Sequence, residues 1–128
     1  MTTIPTSHRD LLDAQVATFA TISEDGRPHL SELWFVAEDS TIRLSLNTTR
    51  QKVKNLQRDP ACGLLILDLA NPYRYLEIRA EATIEPDPDY SFADRLGAKY
   101  HADIRQNDRP GESRVVVTLQ PRRVRTWG

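Results

Sequence analysis

The sequence predicts a mainly β fold (α+β), a closed or partly closed barrel of six to seven mostly antiparallel strands with two or three short helices. An Asp25-Gly26 pair stands between two strand-like runs, which is a strong hairpin signal. Most apolar segments are joined by short connections, and short connections require antiparallel neighbours. Few connections are long enough for a crossover, so the strands are expected to close on themselves.

Each element follows from a local signal. β-branched runs and alternating apolar residues indicate strands, whereas apolar residues three or four apart indicate helices. Asn71-Pro72 is read as a turn. The continuous apolar run over residues 61–67 is read as a central strand covered on both faces. The predicted elements are a helix over residues 9–13 capped by Ser7, strands over residues 16–23, 29–37 and 41–46 with a turn at 38–40, a helix over 50–58, strands over 61–67 and 73–85, a helix over 90–101, a polar loop over 102–112, and extended segments over 113–119 and 122–127.

Length and composition limit the function classes. The 128 residues predict a single domain over residues 1–128, and 17 basic against 18 acidic side chains argue against a general nucleic-acid binder. The longest apolar run is far shorter than the roughly 20 residues of a membrane span. The lone Cys62 excludes an internal disulfide and fits a cytoplasmic location. His8, His29 and His101 are too scattered to predict a metal site.

The most informative stretch is the start of the helix over residues 50–58. Its first turn carries Arg50, Lys52 and Lys54, and cations are unfavourable there unless an anion such as a phosphate binds. The hydroxyls of Thr48 and Thr49 could supply further donors. The alternative is a solvated basic face with nothing bound. No glycine-rich phosphate loop is present, which disfavours a P-loop or dinucleotide-binding fold.

Four segments stand in a characteristic order: ATFATISEDGRPHLSELWF, SLNTTRQKVKNLQRDP, NPYRYLEIRAEATI and SRVVVTLQPRRVRTW. They lie within residues 11–127, over which the likeness described next extends, and the strongest is R-x-K-x-x-N-L-x-R-D-P over residues 50–60. In these segments the chain resembles the FMN-binding split β-barrel proteins related to pyridoxamine 5′-phosphate oxidase. Within that family it most resembles the small reductases that depend on coenzyme F420, a deazaflavin.

The resemblance implies a homodimer that holds its cofactor, F420 or alternatively FMN, in a groove at the subunit interface. It implies that Arg50 and Lys52 hold the cofactor phosphate. The other implied contacts are Ser45, Thr48, Thr49 and Asn55 near the phosphate, Arg27, His29 and Ser31 beside the ring system, and Tyr73, Tyr75, Leu76 and Arg123, reaching the cofactor from the partner subunit.

Two classes of function follow. The first is an oxidoreductase in which reduced F420 gives a hydride to a small, planar, electron-poor substrate, so that no catalytic side chain is required. The second is an FMN-dependent oxidoreductase or a non-catalytic protein that binds flavin or haem. The phosphodiester and polyglutamate tail of F420 carries more negative charge than FMN. The stripe formed by Arg50, Lys54 and Arg58 therefore favours F420.

Overall fold

The computed structural model describes residues 3–38 and 41–128. Its two α-helices are α1 (Gln51–Arg58) and α2 (Ser91–Tyr100), and two 3-10 segments span Thr6–Asp13 and Ile104–Asn107. The strands are β1 (Ala17–Ile22), β2 (Pro28–Leu33), β3 (Val36–Glu38), β4 (Thr41–Asn47), β5 (Ala61–Asp68), β6 (Asn71–Pro86) and β7 (Arg114–Trp127).

All seven strands belong to one antiparallel sheet in the order β2-β1-β5-β6-β7-β4-β3. The two edge strands, β2 and β3, are consecutive in the chain and are joined by Trp34 and Phe35. The chain therefore passes directly from one edge of the sheet to the other. The fold is the mainly β split barrel that the sequence predicts, with its split at this link.

The link is held by the end of α2. The hydroxyl of Tyr100 accepts a hydrogen bond from the Phe35 backbone N–H at 3.1 Å and lies 3.0 Å from the Phe35 carbonyl oxygen, to which it donates. Lys99 donates to the same carbonyl at 2.8 Å, and the rings of Trp34 and Tyr100 stack 4.2 Å apart. These contacts satisfy the backbone of Phe35 outside the sheet, which is why residues 29–37, predicted as one strand, form two.

The core fills the inside of the barrel with the alternating residues of the strands. Phe19, Phe35, Ile42, Leu44 and Ile78 are completely buried. Val53 and Leu56 of α1 join the same cluster, so the apolar side of α1 packs on the core. Burying these side chains contributes roughly 1.5–3 kcal/mol each relative to leaving them in water. A smaller cluster around Phe92 and Leu96 lies under α2.

Further predictions about the elements need correction. Ser7 does not cap a helix: the 3-10 segment follows Pro5, and the Ser7 hydroxyl bonds His8 Nδ1 at 2.8 Å. Asn71 and Pro72 are not a turn but begin β6, because the Asp68 carboxylate accepts from the Ala70 N–H and completes the turn earlier.

The segments over residues 113–119 and 122–127 form one strand, β7, whose register against β6 shifts between Arg79 and Ala80. The central position of residues 61–67 is confirmed by the place of β5 between β1 and β6. Leu64 and Ile66 are buried whereas Leu65 and Leu67 are half-buried, so only one face of β5 is fully covered.

The helices predicted over residues 50–58 and 90–101 are confirmed as α1 and α2. The loop over residues 102–112 contains the second 3-10 segment, whose start is capped by the Asp103 carboxylate. In the turn predicted at residues 38–40, Asp39 and Ser40 lie outside the described residues. Within residues 3–38 and 41–128, no helix has the length and apolar character needed to cross a membrane.

Candidate functional site

Helix α1 brings its first turn against strand β2. His29 and Ser31 of β2 lie opposite Thr21 and Phe19 of β1 and share their face. Lys52, in the first turn of α1, donates a hydrogen bond from Nζ to the Ser31 hydroxyl at 3.0 Å. The structure thus joins three of the predicted cofactor residues, His29, Ser31 and Lys52, in one place.

The charge of Lys52 has no carboxylate partner among the residues that the structure describes. Burial lowers the pKa of this half-buried lysine, and the positive charge of the neighbouring Arg50 lowers it further. A desolvated cation with only a hydroxyl for a partner gains from a nearby anion more than an exposed lysine would. The position is therefore suited to a phosphate group.

His29 presents a second incomplete contact. Its Nδ1 atom is buried and has no hydrogen-bond partner within the described chain. Buried polar atoms nearly always have a partner in a complete structure. An incoming ligand group that donates to Nδ1 or accepts from it would complete this contact, so His29 also fits a ligand site beside Lys52.

The connection from β4 to α1 is ordered by its own side chains. The Asn47 carboxamide oxygen accepts from the backbone N–H and the hydroxyl of Thr49 at 2.9 and 2.7 Å. Thr48 bonds the Ser113 hydroxyl at 2.9 Å, and the Ser45 hydroxyl accepts from Arg114 at 3.3 Å. These hydroxyls are engaged within the chain, so they hold the turn that positions Arg50.

Arg50 itself occupies the N-cap position of α1, and its side chain makes no capping hydrogen bond to the helix. It is exposed, and it makes no ion pair with any described residue. It stands two residues before Lys52 and is close enough for its charge to lower the pKa of that lysine. The two cations predicted to hold a phosphate are therefore neighbours and both remain available.

Three predicted residues have side chains that are buried or that contact other residues of the chain. Asn55 is completely buried, donates to the Thr21 hydroxyl at 3.0 Å and accepts from Gln51 at 2.9 Å. Leu76 is completely buried in the core. Arg27 is exposed in the turn before β2, where it faces Asp25 at 3.8 Å. Asn55 supports the site by fixing α1 on β1, and Leu76 can offer a ligand only its backbone.

The remaining predicted residues lie on the outer face of β6 and β7. Tyr75 pairs with Trp127, and Arg123 pairs with Arg79. Tyr75, Trp127 and Arg79 line a cavity of about 540 Å³, whereas Tyr73 is 80% exposed. In the sheet, β6 is three strands from β2, a separation of about 14 Å at the usual strand spacing. One chain therefore does not bring this group to Lys52.

The sequence did not reveal a buried ion pair next to the site. Arg114 and Asp108, whose side chains are 9% and 4% exposed, bond through two contacts of 2.8 and 3.0 Å. Asp108 also accepts from Tyr90 and Asn47. Asp108 lies in a loop without periodicity, so no sequence pattern predicts its contact with Arg114. The contact depends on the three-dimensional fold.

The arrangement offers binding rather than reactive side chains. Burial, with Glu81 nearby, raises the pKa of the Cys62 thiol to about 12, so this thiol is protonated at neutral pH and is a poor nucleophile. Within the described residues no three His, Cys, Asp or Glu side chains come together as a metal-binding group. An unpaired lysine beside an unpaired arginine, with an unpartnered histidine nitrogen nearby, fits a phosphorylated organic cofactor.

Comparisons with known proteins agree with this interpretation of the fold. A family model described as pyridoxamine 5′-phosphate oxidase matches residues 4–128. A solved F420 reductase is 30% identical, with a TM-score of 0.84 over 95% of this chain and 98% of its own. A conserved hypothetical protein of Mycobacterium tuberculosis is 25% identical, with a TM-score of 0.76 over 99% of this chain and 86% of its own.

A haem storage protein of Vibrio cholerae, HutZ, shares the fold at 16% identity, with a TM-score of 0.74 over 99% of this chain and 96% of its own. One fold therefore serves proteins described by different ligands, and fold alone does not select the cofactor. Because the family model spans nearly the whole sequence, the chain belongs to the pyridoxamine 5′-phosphate oxidase family.

Proposed function

We propose that this protein is an oxidoreductase that uses reduced F420 to reduce a small, planar, electron-poor substrate. The observation that carries the proposal is the half-buried Lys52, which bonds Ser31 and has no carboxylate partner in the described chain. The 30% identity to an F420 reductase over nearly the full length of both chains supports the choice of cofactor.

In this proposal Lys52 and Arg50 bind the cofactor phosphate, and the Ser31 hydroxyl holds the Lys52 ammonium toward it. His29 lies two residues before Ser31 on the same strand face, where its unpartnered Nδ1 can contact the ring system. Because α1 packs on β1 through Asn55 and Thr21, the phosphate contacts are fixed relative to β2. Such fixed placement lowers the entropic cost of bringing a ring and a substrate together.

When bound, reduced F420 would supply a hydride, which is a proton with two electrons, and the proton released by its oxidation would balance the one that the substrate takes up through water. The residues of this chain bind the cofactor and orient it. A partner chain that covers the groove would keep bulk water from the ring. In this proposal no side chain of the site has to act as an acid.

The proposal includes a homodimer in which each groove has walls from both chains. Tyr73 and Trp127 are 80% and 64% exposed on the outer face of β6 and β7. Exposed aromatic groups of this size commonly mark an interface. A second chain placed on this face would bring Tyr75 and Arg123 toward the Lys52 of its partner. We also propose a cytoplasmic location, which the single unpaired Cys62 supports.

An FMN-dependent oxidoreductase is the second candidate, because a phosphate site built from Lys52 and Arg50 suits the terminal phosphate of FMN equally well. A non-catalytic haem protein of the same fold is the third. Both ring nitrogens of the buried His8 are hydrogen-bonded, whereas His29 Nδ1 has no partner in the described chain. Of these two residues, His29 would be the one to hold the haem iron.

The experiment is a turnover assay with reduced F420 and a panel of quinones and enones, monitored by the return of the absorbance of oxidised F420. The proposal expects multiple turnovers with at least one acceptor. Its matched control is Lys52→Ala, which should turn over more slowly at limiting cofactor. Turnover with reduced FMN but not with reduced F420 would favour the second candidate, and tight haem binding without turnover would favour the third.

A further inference from the structure

A polar cavity of about 420 Å³ adjoins Arg50 between the start of α1 and the loop before β7. Arg50 and Arg109 line it together with Glu112 and the buried pair of Arg114 and Asp108. The cavity thus shares Arg50 with the proposed phosphate site. Anything bound at the phosphate site has this cavity next to it.

The floor of the cavity is fixed by bonds within the chain. Asp108 accepts two hydrogen bonds from Arg114 and one from the Asn47 carboxamide at 2.9 Å. The same carboxamide donates to Glu112 at 3.1 Å, and Glu112 also accepts from the Arg109 backbone N–H at 2.8 Å. These bonds satisfy the carboxylates of Asp108 and Glu112. Neither carboxylate therefore forms an ion pair with Arg50 or Arg109.

Arg50 and Arg109 are exposed, and neither guanidinium has a partner among the residues that the structure describes. The charges of Arg114 and Asp108 cancel, and Glu112 offsets one of the two unpaired arginines. The cavity therefore carries about one net positive charge. That balance suits one carboxylate, which guanidinium groups recognise well, better than a phosphate dianion.

From this placement we infer that the cavity between Arg50 and Arg109 binds a carboxylate of the acidic tail of F420. The inference rests on the proposed function, because the tail is attached to the phosphate that Arg50 and Lys52 would hold. The covalent order of the ligand, phosphate then carboxylates, matches the order of the two sites along the surface. FMN ends at its phosphate and leaves the cavity free.

The stripe of Arg50, Lys54 and Arg58 is the competing path for the tail. Arg58 donates to the backbone carbonyl of Ile22, so its guanidinium is engaged at the end of β1. Lys54 is exposed on the helix surface, and it does not line the cavity. Two unpaired guanidinium groups around a cavity give a carboxylate more contacts than one exposed ammonium does.

The experiment compares Arg109→Gln and Glu112→Gln in the full-length protein by equilibrium fluorescence titration. The probes are F420 with its glutamates, the same deazaflavin phosphate truncated before the glutamates, and FMN. Arg109→Gln should weaken F420 binding roughly three- to tenfold, since a partly exposed charged contact is lost. Glu112→Gln keeps its acceptor oxygen but removes a repelling charge, and should tighten F420 binding about two- to fivefold. Neither variant should change the binding of the truncated probe or FMN.

The control is Arg95→Ala, which removes an arginine whose partner Glu38 lies near the opposite end of β4; it should change none of the three affinities. Equal effects of Arg109→Gln on all three probes would overturn the inference, because they would indicate general electrostatics. Unchanged F420 affinity in both glutamine variants, or a larger loss in Lys54→Ala than in Arg109→Gln, would overturn it too. In these cases the proposed function stands if the unmodified protein binds F420; no F420 binding at all would defeat both.

Discussion

The Lys52 ammonium and the Ser31 hydroxyl are joined by a 3.0 Å hydrogen bond that links the first turn of α1 to strand β2. The two residues are separated by 20 others in sequence and meet because α1 packs on β1, the strand next to β2. The bond fixes a half-buried positive charge in front of a strand face that carries the unpartnered His29 nitrogen. It is the geometric basis of the proposed phosphate site.

Replacing Lys52 by alanine should weaken the binding of a phosphorylated cofactor without unfolding the protein. Loss of one charge-assisted contact to phosphate should cost about 1.5–3 kcal/mol of binding free energy. The free energy of unfolding should fall by only about 0.5–1.5 kcal/mol, because the substitution removes the hydrogen bond to Ser31 but no ion pair. Titration with F420 and FMN, together with urea unfolding, measures both quantities.

Two further variants sharpen this test. Lys52→Met retains the aliphatic length and should bind as weakly as the alanine variant, whereas Lys52→Arg retains the charge and should recover part of the affinity. The pKa of Lys52 is lowered by burial and by Arg50, so the affinity of the unmodified protein should begin to fall at a pH below the ordinary lysine value. The arginine variant should keep its affinity there. If all three variants bound the cofactor as tightly as the unmodified protein does, Lys52 would not belong to the site.

The buried pair of Arg114 and Asp108 should give the protein a specific acid sensitivity. Burial pushes the pKa of Asp108 upward, but hydrogen bonds from Arg114, Tyr90 and Asn47 outweigh it, so the pKa lies below the ordinary 3.8. A depressed carboxyl pKa contributes stability that is complete above 3.8 and is lost as the pH falls through the native-state value.

Asp108→Asn leaves Arg114 without its charge partner and should cost about 3–5 kcal/mol of stability at pH 7. The difference from the unmodified protein should shrink below pH 3.8, where the carboxyl protonates. Urea unfolding at a series of pH values measures this difference. A difference that stays constant from pH 7 to pH 3 would show that the Asp108 charge does not stabilise the native state.

Asp87 should be the main stabiliser of the start of α2. It is buried, and its carboxylate accepts from the backbone N–H groups of Phe92 and Ala93 at 3.2 and 2.9 Å. Asp87→Ala should therefore lower the free energy of unfolding by about 1–3 kcal/mol. Asp89→Ala, which removes exposed contacts to Ser91 alone, is the matched control and should cost less. A larger cost for Asp89 would contradict the assignment.

The outer face of β6 and β7 should form the dimer interface. Light scattering at micromolar concentration should give the mass of two chains for the unmodified protein and of one chain for Trp127→Glu. That variant should also bind the cofactor less tightly, because each groove would lose its second wall. Leu30→Glu, at an equally exposed leucine on β2, is the control and should stay dimeric. A monomeric unmodified protein would refute the composite groove.

The strands and helices could be predicted from the sequence wherever the local pattern agrees with the burial. The alternation of Ile42, Leu44 and Leu46 in β4 and the spacing of Val53 and Leu56 in α1 are matched by complete or nearly complete burial in the structure. The predictions from local sequence patterns failed where contacts between distant residues determine the backbone conformation. The break between β2 and β3 depends on Tyr100 bonding the backbone of Phe35, which lies 65 residues away in sequence.

The candidate site was predictable only where its residues belong to a local sequence pattern. Arg50 and Lys52 stand out because cations in the first turn of a helix require an explanation. Asn55 belongs to the same motif, yet its burial and its bond to Thr21 depend on the packing of α1 on β1. Arg109 lies in a polar loop without periodicity, and only the fold brings it beside Arg50.

The most direct test of the central claim is a side-by-side equilibrium titration of the unmodified protein with F420, FMN and haem. The unpaired Lys52 and Arg50, with the adjoining cavity at Arg109, predict that F420 binds most tightly and that its affinity falls as salt screens these charges. Tighter binding of FMN or haem than of F420 would contradict the account.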